Sequence, residues 1–197
     1  MATPLTFIFA GPSGSGKGTQ VEMLKEYLKK ETPAIPQFHS YTGDGFRAFM
    51  EGSTYAAKQA KEIQNAGGLQ PEFLAVWLWS GNLINNVTGG EHLFIDGSPR
   101  KPAEAVVLDS AMQFFKRDPI HLVVVNVSNE ETKRRLLLRA RHDDSPEKID
   151  RRLAWYETEV LPAIDFLRKT GRYLVADING EQSPEEVHQE IRNALKI

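Results

Sequence analysis

The strongest chemical signal in the sequence is Gly11-Pro12-Ser13-Gly14-Ser15-Gly16-Lys17-Gly18-Thr19, directly after an apolar stretch at 5–10. A strand that ends in a glycine-rich turn and enters a helix points successive backbone N–H groups inward. The helix N-terminus adds its positive dipole end, and together they make a cradle for polyphosphate. Gly14, Ser15, Gly16, Lys17, Gly18 and Thr19 are its candidate triphosphate contacts. A lysine there reaches the β and γ oxygens, and a hydroxyl just beyond it can help to hold Mg²⁺. The spacing is G-x-x-x-x-G-K, but position 18 is Gly, so the hydroxyl comes one residue later, at Thr19.

Three further stretches could serve the same chemistry. Phe94-Ile95-Asp96-Gly97-Ser98-Pro99-Arg100 is an apolar run ending in a carboxylate, which can join Thr19 in a Mg²⁺ shell through water. Its plain reading is a strand-ending Asp-Gly turn that presents Arg100. Tyr41-Thr42-Gly43-Asp44-Gly45-Phe46-Arg47, taken alone, reads as a helix start. The third is a cluster of Arg134, Arg135, Arg139, Arg141, Arg151 and Arg152 around Asp143-Asp144. Such runs are usually solvated helix faces. Here Arg135 and Arg139 are four apart and share a face. A break at 141–145 follows, then a new helix from Pro146. Guanidiniums converging from two helix ends suit a transferring phosphoryl group.

The elements that must position these groups are legible in the periodicity. Strands are expected at 5–10, 36–40, 92–96, 120–128 and 173–178. The runs at 92–96 and 120–127 are nearly all apolar, as in a parallel sheet covered on both faces. Leu153, Tyr156, Val160, Ile164 and Leu167 recur at helical spacing and mark one helix face. Ser183-Pro184-Glu185-Glu186 is a helix start. Strand–helix alternation predicts an α/β fold with a doubly wound parallel sheet, whose ligands bind outside the carboxyl ends of the strands.

The bulk properties exclude several classes. The chain has 197 residues, which predicts a single domain. It has no cysteine, so disulfides and thiolate zinc sites are excluded. A net charge of −2 provides no basic field for nucleic acid. There is no apolar run of about 18 residues and no signal-peptide pattern, so a soluble cytoplasmic protein without a membrane partner is expected. The five histidines, His39, His92, His121, His142 and His188, show no metal-ligand spacing. Trp77 and Trp79 are expected to pack and, with Trp155, to serve as fluorescence reporters, and Glu91, Asp109 and Asp118 are expected to be surface acids.

Taken together, the four stretches resemble the adenylate kinase family of nucleoside monophosphate (NMP) kinases from about Thr6 to the C-terminus. The family's G-x-P-G-x-G-K-G-T-Q loop matches Gly11 to Gln20, including the Gly18-Thr19 order. Its S-T-G-D-x-x-R motif matches Tyr41 to Arg47, and D-G-F-P-R matches Asp96 to Arg100. The resemblance implies a P-loop kinase with a five-stranded parallel sheet, an acceptor-binding segment at 41–70 and a short lid at 138–145. It implies Mg²⁺ and ATP, monomeric by family habit, with nucleotides as partners. The implied catalytic groups are Lys17, Arg100, Arg139, Arg141 and Arg152. Arg135 would stack on the ATP adenine, with Arg139 and Ser183 also on the donor side. The acceptor contacts would be Thr42, Arg47, Gly68, Leu69, Gln70, Gly97, Ser98, Pro99, Arg100, Glu104, Arg141 and Arg152. Asp143-Asp144 match the paired acids after the lid.

The chain departs from the pattern in informative places. Only Ala140 separates Arg139 from Arg141, and without cysteine a zinc lid is excluded. Ser13 replaces the loop proline and Ser98 the usual aromatic. Eight residues past Asp96, where AMP-specific members carry Gln, stands Glu104. A Gln amide can accept from adenine N6–H₂ and donate to N1, whereas an ionised Glu only accepts and suits the N1–H and N2–H₂ of guanine. Gln70 stands where a small aliphatic residue is expected, while Thr42 is the residue of AMP-specific members. AMP is the favoured acceptor. GMP or broad NMP specificity is the alternative, with Glu104 reaching solvent or binding AMP in its protonated form as competing readings. A non-catalytic nucleotide-binding protein and another small-metabolite kinase are further alternatives. Arg47, Arg100, Arg141 and Arg152 argue against the former, and Thr42-Gly43-Asp44 against the latter.

Overall fold

The structure, a computed structural model, describes residues 3–139 and 145–197. The first two residues and 140–144 lie outside the described residues. Among the predicted features these include Arg141, Asp143, Asp144 and most of the lid.

Five strands form one parallel sheet: β1 Thr6–Ala10, β2 Gln37–Tyr41, β3 His92–Asp96, β4 Ile120–Asn126 and β5 Tyr173–Asn179. Their order is β2-β3-β1-β4-β5. The two strands that follow β1 lie to one side of it and the last two to the other, so the winding changes direction at β1. Register pairs Phe9 with Asp96, and Asp96 with Tyr41. The end of the glycine-loop strand and the end of the carboxylate strand are therefore side by side.

Period-two alternation divides the core. Phe7, Phe9, Phe94, Val123, Val125 and Ile178 face one layer, which α1 (Lys17–Glu31) and α9 (Pro184–Leu195) cover. Ile8, Leu93, Ile95, Leu122 and Val124 face the other. That layer is closed by α4 (Glu72–Asn86), α5 (Pro102–Phe114) and α8 (Leu161–Lys169). Strands buried on both faces carry almost no polar residues, as the sequence predicted. Two short helices, α2 (Thr42–Met50) and α3 (Tyr55–Asn65), form the segment between β2 and α4. The remaining pair, α6 (Asn129–Arg139) and α7 (Pro146–Trp155), meets through a separate cluster of Leu136, Ile149 and Leu153.

The apolar stripe from Leu153 to Leu167 is buried throughout. It does not lie on a single α-helix, however. Between α7 and α8 the residues Tyr156–Val160 form a π-helical turn, closed by the Leu161 N–H on the Tyr156 carbonyl. Pro162 follows directly. It has no N–H for the Thr158 carbonyl and its ring crowds that position, so the chain widens there rather than continuing as α-helix.

Two expectations are corrected. Glu91 and Asp109 are not surface acids: they are 3 % and 7 % exposed. Glu91 pairs with the equally buried Arg117 and accepts from the Thr88 N–H, while Asp109 is held by Arg172, Tyr173 and Gln113. A buried carboxylate persists only when paired and hydrogen-bonded, and here the cationic partners come from distant sequence. Trp79 packs in the core as expected, but Trp77 is 58 % exposed, with its ring edge-to-face on Phe49 at 5.5 Å.

Candidate active site

The phosphate loop owes its shape to where it begins and ends. It leaves β1 at the sheet's change of direction and enters α1 through Gly16, whose φ of +95° is open to glycine at little cost. No side chain caps this helix and no acid lies in its first turn. Its leading N–H groups and positive dipole end are therefore available to an anion. Gly18 and Thr19 are exposed at this rim.

Lys17 bends back over its own loop. Its Nζ donates to the carbonyls of Gly11 at 2.8 Å and Pro12 at 2.7 Å. Burial pushes its pKa down to about 8; the Asp96 carboxylate opposes this, while Arg100 and Arg139 add to it. A cation held among carbonyls and desolvated in this way gains strongly from an incoming polyanion.

Loop, β3 end and flanking helices enclose one cavity of about 560 Å³. Its floor carries Asp96, only 4 % exposed. A carboxylate there and the hydroxyl of Thr19, another lining residue, are hard oxygen donors of the kind Mg²⁺ takes, so the residues present fit the ion. Gly97 and Pro99 turn the chain so that Arg100 folds inward, with its Nε donating to the Gly97 carbonyl at 2.9 Å. Thr42 and Ser98 share a buried hydrogen bond of 2.8 Å, which fastens the start of α2 to this turn. The serine in place of an aromatic thus has a structural partner. Arg47 lines the same cavity, paired with Asp44 and lying 5.4 Å from the centre of the Tyr41 ring.

Arg135, Arg139 and Arg152 also line the cavity. The first two come from successive turns of α6, as their spacing predicted, and the third from α7. Arg135 is held by Glu131 at 2.6 Å and by the Gly180 carbonyl at 2.8 Å, so it bridges α6 and the turn after β5. Arg134 and Arg151 do not line the cavity; Arg134 pairs with Glu131 on the surface, and Arg151 donates to the Ala66 carbonyl at 2.5 Å.

Gly68, Leu69, Gln70 and Glu104 line the cavity too. Glu104 does not reach solvent: it is 2 % exposed at the start of α5, near the Arg100 N–H at 3.4 Å. Burial pushes its carboxyl pKa up. The Arg100 N–H and the charges of Arg100 and Lys101 oppose this, and Glu72 reinforces it. The Gln70 amide donates to the Ala60 carbonyl at 2.8 Å, leaving its buried Oε1 without a partner among the described residues.

Two predicted residues lie apart from the cavity wall. Ser15 is buried beneath the loop, where its hydroxyl is 3.4 Å from the Lys17 Nζ. The Ser183 hydroxyl caps α9 in a reciprocal box with Glu186. Sequence reasoning missed several residues that the structure brings to the cavity, among them Tyr41, Gln64, Gly67 and Trp155. Trp155 lines the cavity three residues beyond Arg152, a spacing that places both on one side of α7.

The adenylate kinase family model matches residues 9–172. The chain belongs to the adenylate kinase family. Membership makes it an ATP-dependent nucleoside monophosphate kinase. The protein named adenylate kinase of Leptospira biflexa is 34 % identical over 192 residues, covering 95 % of this chain and 98 % of its own length. Adenylate kinase 1 of a Nostoc strain is 35 % identical over 188 residues, covering 95 % and 97 %. The adenylate kinase of Stenotrophomonas maltophilia is 32 % identical over 197 residues, covering 98 % and 100 %. Adenylate kinase membership also agrees with the five-stranded parallel sheet and the loop at its centre. Among the described residues no helix is long and apolar enough to cross a membrane.

Proposed function

We propose that the chain reversibly transfers the terminal phosphoryl group of Mg·ATP to AMP, as one kinase domain with an acceptor segment at 41–70 and a lid at 138–145. The observation that carries this reading is the shared cavity: loop, carboxylate, arginines and the polar Gln70 and Glu104 all line one space. That arrangement suits two nucleotides meeting phosphate to phosphate.

Donor binding rests on the loop amides from Gly14 to Thr19 and on Lys17, with Arg135 beside the adenine and Ser183 on the turn beyond it. Mg²⁺, held by the phosphates with Thr19 and Asp96 through water, would supply charge neutralisation at the β and γ oxygens. Arg47 and Arg100 clamp the acceptor phosphate. Thr42, Gly68, Leu69, Gln70, the 97–99 turn and Glu104 surround the acceptor nucleoside. Arg139, Arg141 and Arg152 gather on the transferring group. Phosphoryl transfer needs alignment and charge stabilisation more than covalent help from the protein, and these residues provide both. Excluding water protects ATP from hydrolysis during the transfer.

GMP is a second reading of the acceptor, favoured by one observation. The cavity wall offers the Glu104 carboxyl, an acceptor when ionised, and the Gln70 oxygen, which has no hydrogen-bond partner among the described residues. A coupled assay of ADP formation with AMP, GMP, CMP and UMP separates the readings. AMP should be the best acceptor, and a tenfold or greater preference for GMP would overturn that choice. Lys17→Met and Arg100→Ala should each lose about 10³-fold or more in turnover, as removal of an oriented charge from phosphoryl transfer does. Near-normal turnover in either would remove these residues from the mechanism.

A further inference from the structure

Trp155 lies at the last residue of α7, where the helix passes into its π turn. Its ring meets two other parts of the chain. The indole Nε1–H donates to the Gly67 carbonyl at 3.2 Å, just past the C-terminus of α3. The Arg100 guanidinium carbon lies 5.8 Å from the ring centre. The neighbouring Arg151 donates to the Ala66 carbonyl at 2.5 Å. Two consecutive carbonyls at the negative end of α3 are therefore met by two side chains of α7, a favourable place for an arginine and a polar N–H.

The approach is close because Gly67 permits it. Its φ is +74°, and a Cβ on it would stand 3.3 Å from the Lys148 Cα. A side chain there would be strained by the positive φ and would crowd Lys148 at the start of α7. Gly67 also closes α3, its N–H donating to the Gln64 carbonyl, while the Gly68 N–H reaches the Ile63 carbonyl. Gly68, Leu69 and Gln70, which line the acceptor end of the cavity, follow directly. Trp155 thus touches the acceptor segment and Arg100, and shares its helix with Arg152.

We propose that Trp155 is a positioning residue that couples the acceptor segment to the two arginine-bearing elements, with its N–H holding the segment and its ring face holding Arg100. The proposal rests on the function given above. The two functions of the ring are chemically separable. Phenylalanine keeps an aromatic face for the guanidinium but has no N–H, whereas leucine keeps bulk and loses both.

The test is steady-state kinetics of the full chain with AMP and ATP varied in turn, alongside amide hydrogen exchange. Trp155→Phe should raise the acceptor KM about tenfold, roughly the worth of one hydrogen bond. Its ATP KM and kcat should stay within about twofold. Trp155→Leu should show the same KM change and also lose kcat, because Arg100 loses its aromatic platform. In Trp155→Phe the amides of Gly67 and Gly68 should exchange faster while those of the sheet do not. A wild-type acceptor KM in Trp155→Phe, or an equal rise in both KM values, overturns the proposal. So does unchanged exchange at 67–68. Exchange does not depend on turnover: if no acceptor is phosphorylated the proposed function fails, and exchange still decides whether Trp155 holds the segment.

Discussion

At the scale of single residues, charge and hydrogen-bond sign govern the site. Burial pushes the Lys17 pKa down to about 8, so its amine loses charge as the pH rises through that value. Phosphate binding favours the charged form and raises the pKa. Nucleotide binding should therefore take up a proton near pH 8–9, and affinity should fall above it. Calorimetric titration of ATP in buffers of different ionisation enthalpy checks this, and Lys17→Met should abolish the uptake. Glu104 raises the question of sign at the other end. Buried and pushed toward its neutral form, it can donate to adenine N1 when protonated but only accept when ionised. Glu104→Gln supplies both donor and acceptor at any pH. It should raise the ratio of kcat/KM for AMP over GMP by about tenfold, since a mismatched buried polar pair costs about 1–3 kcal/mol. A ratio that stays constant or falls would take Glu104 out of base reading.

At the scale of elements, the phosphate loop depends on a helix far from it in sequence. A Cβ on Gly14 would meet the Leu136 side chain at 2.9 Å, so the loop lies directly against α6. Leu136 is fully buried in the small cluster that joins α6 to α7. Leu136→Ala should cost about 2–5 kcal/mol through the cavity it leaves. It should also raise the ATP KM, because the loop loses its backing and Arg135 and Arg139 share the loosened helix. Thermal melting with and without ATP measures both effects. The π turn belongs to this scale too. The stripe from Leu153 to Leu167 correctly predicted a buried face, because side-chain spacing reports burial. It did not report the backbone hydrogen-bond pattern, which Pro162 altered locally.

At the scale of the whole molecule, a buried ion pair joins elements at the end of the sheet away from the loop. Arg117, just past α5, reaches the Glu91 side chain and donates to its carbonyl at 2.9 Å, tying α5 to the start of β3. Arg117→Ala would leave the Glu91 carboxylate buried and uncompensated, at a cost of about 3–5 kcal/mol. The melting temperature should fall accordingly. Arg117→Met together with Glu91→Leu should recover much of the loss, since replacing both charges removes the desolvation penalty.

What could be read from sequence was what a continuous segment encodes. The loop's chemistry lies in consecutive residues with glycines at set spacing, so its place and its anion-binding geometry followed directly. The central strands β3 and β4 followed from largely apolar runs, and the shared face of Arg135 and Arg139 from helical spacing. Tertiary structure decided the features whose partners are distant in the chain. Asp109 became an interior acid because Arg172 arrives from 63 residues away. The Gln70 oxygen was oriented by the Ala60 carbonyl, which captures its amide nitrogen. Trp155 entered the site because Gly67, 88 residues earlier, allows α3 to come within reach of its N–H. Spacing along the chain fixes direction within one element. Only packing between elements determines which side chain meets which, and hence which polar atoms are left facing the ligand.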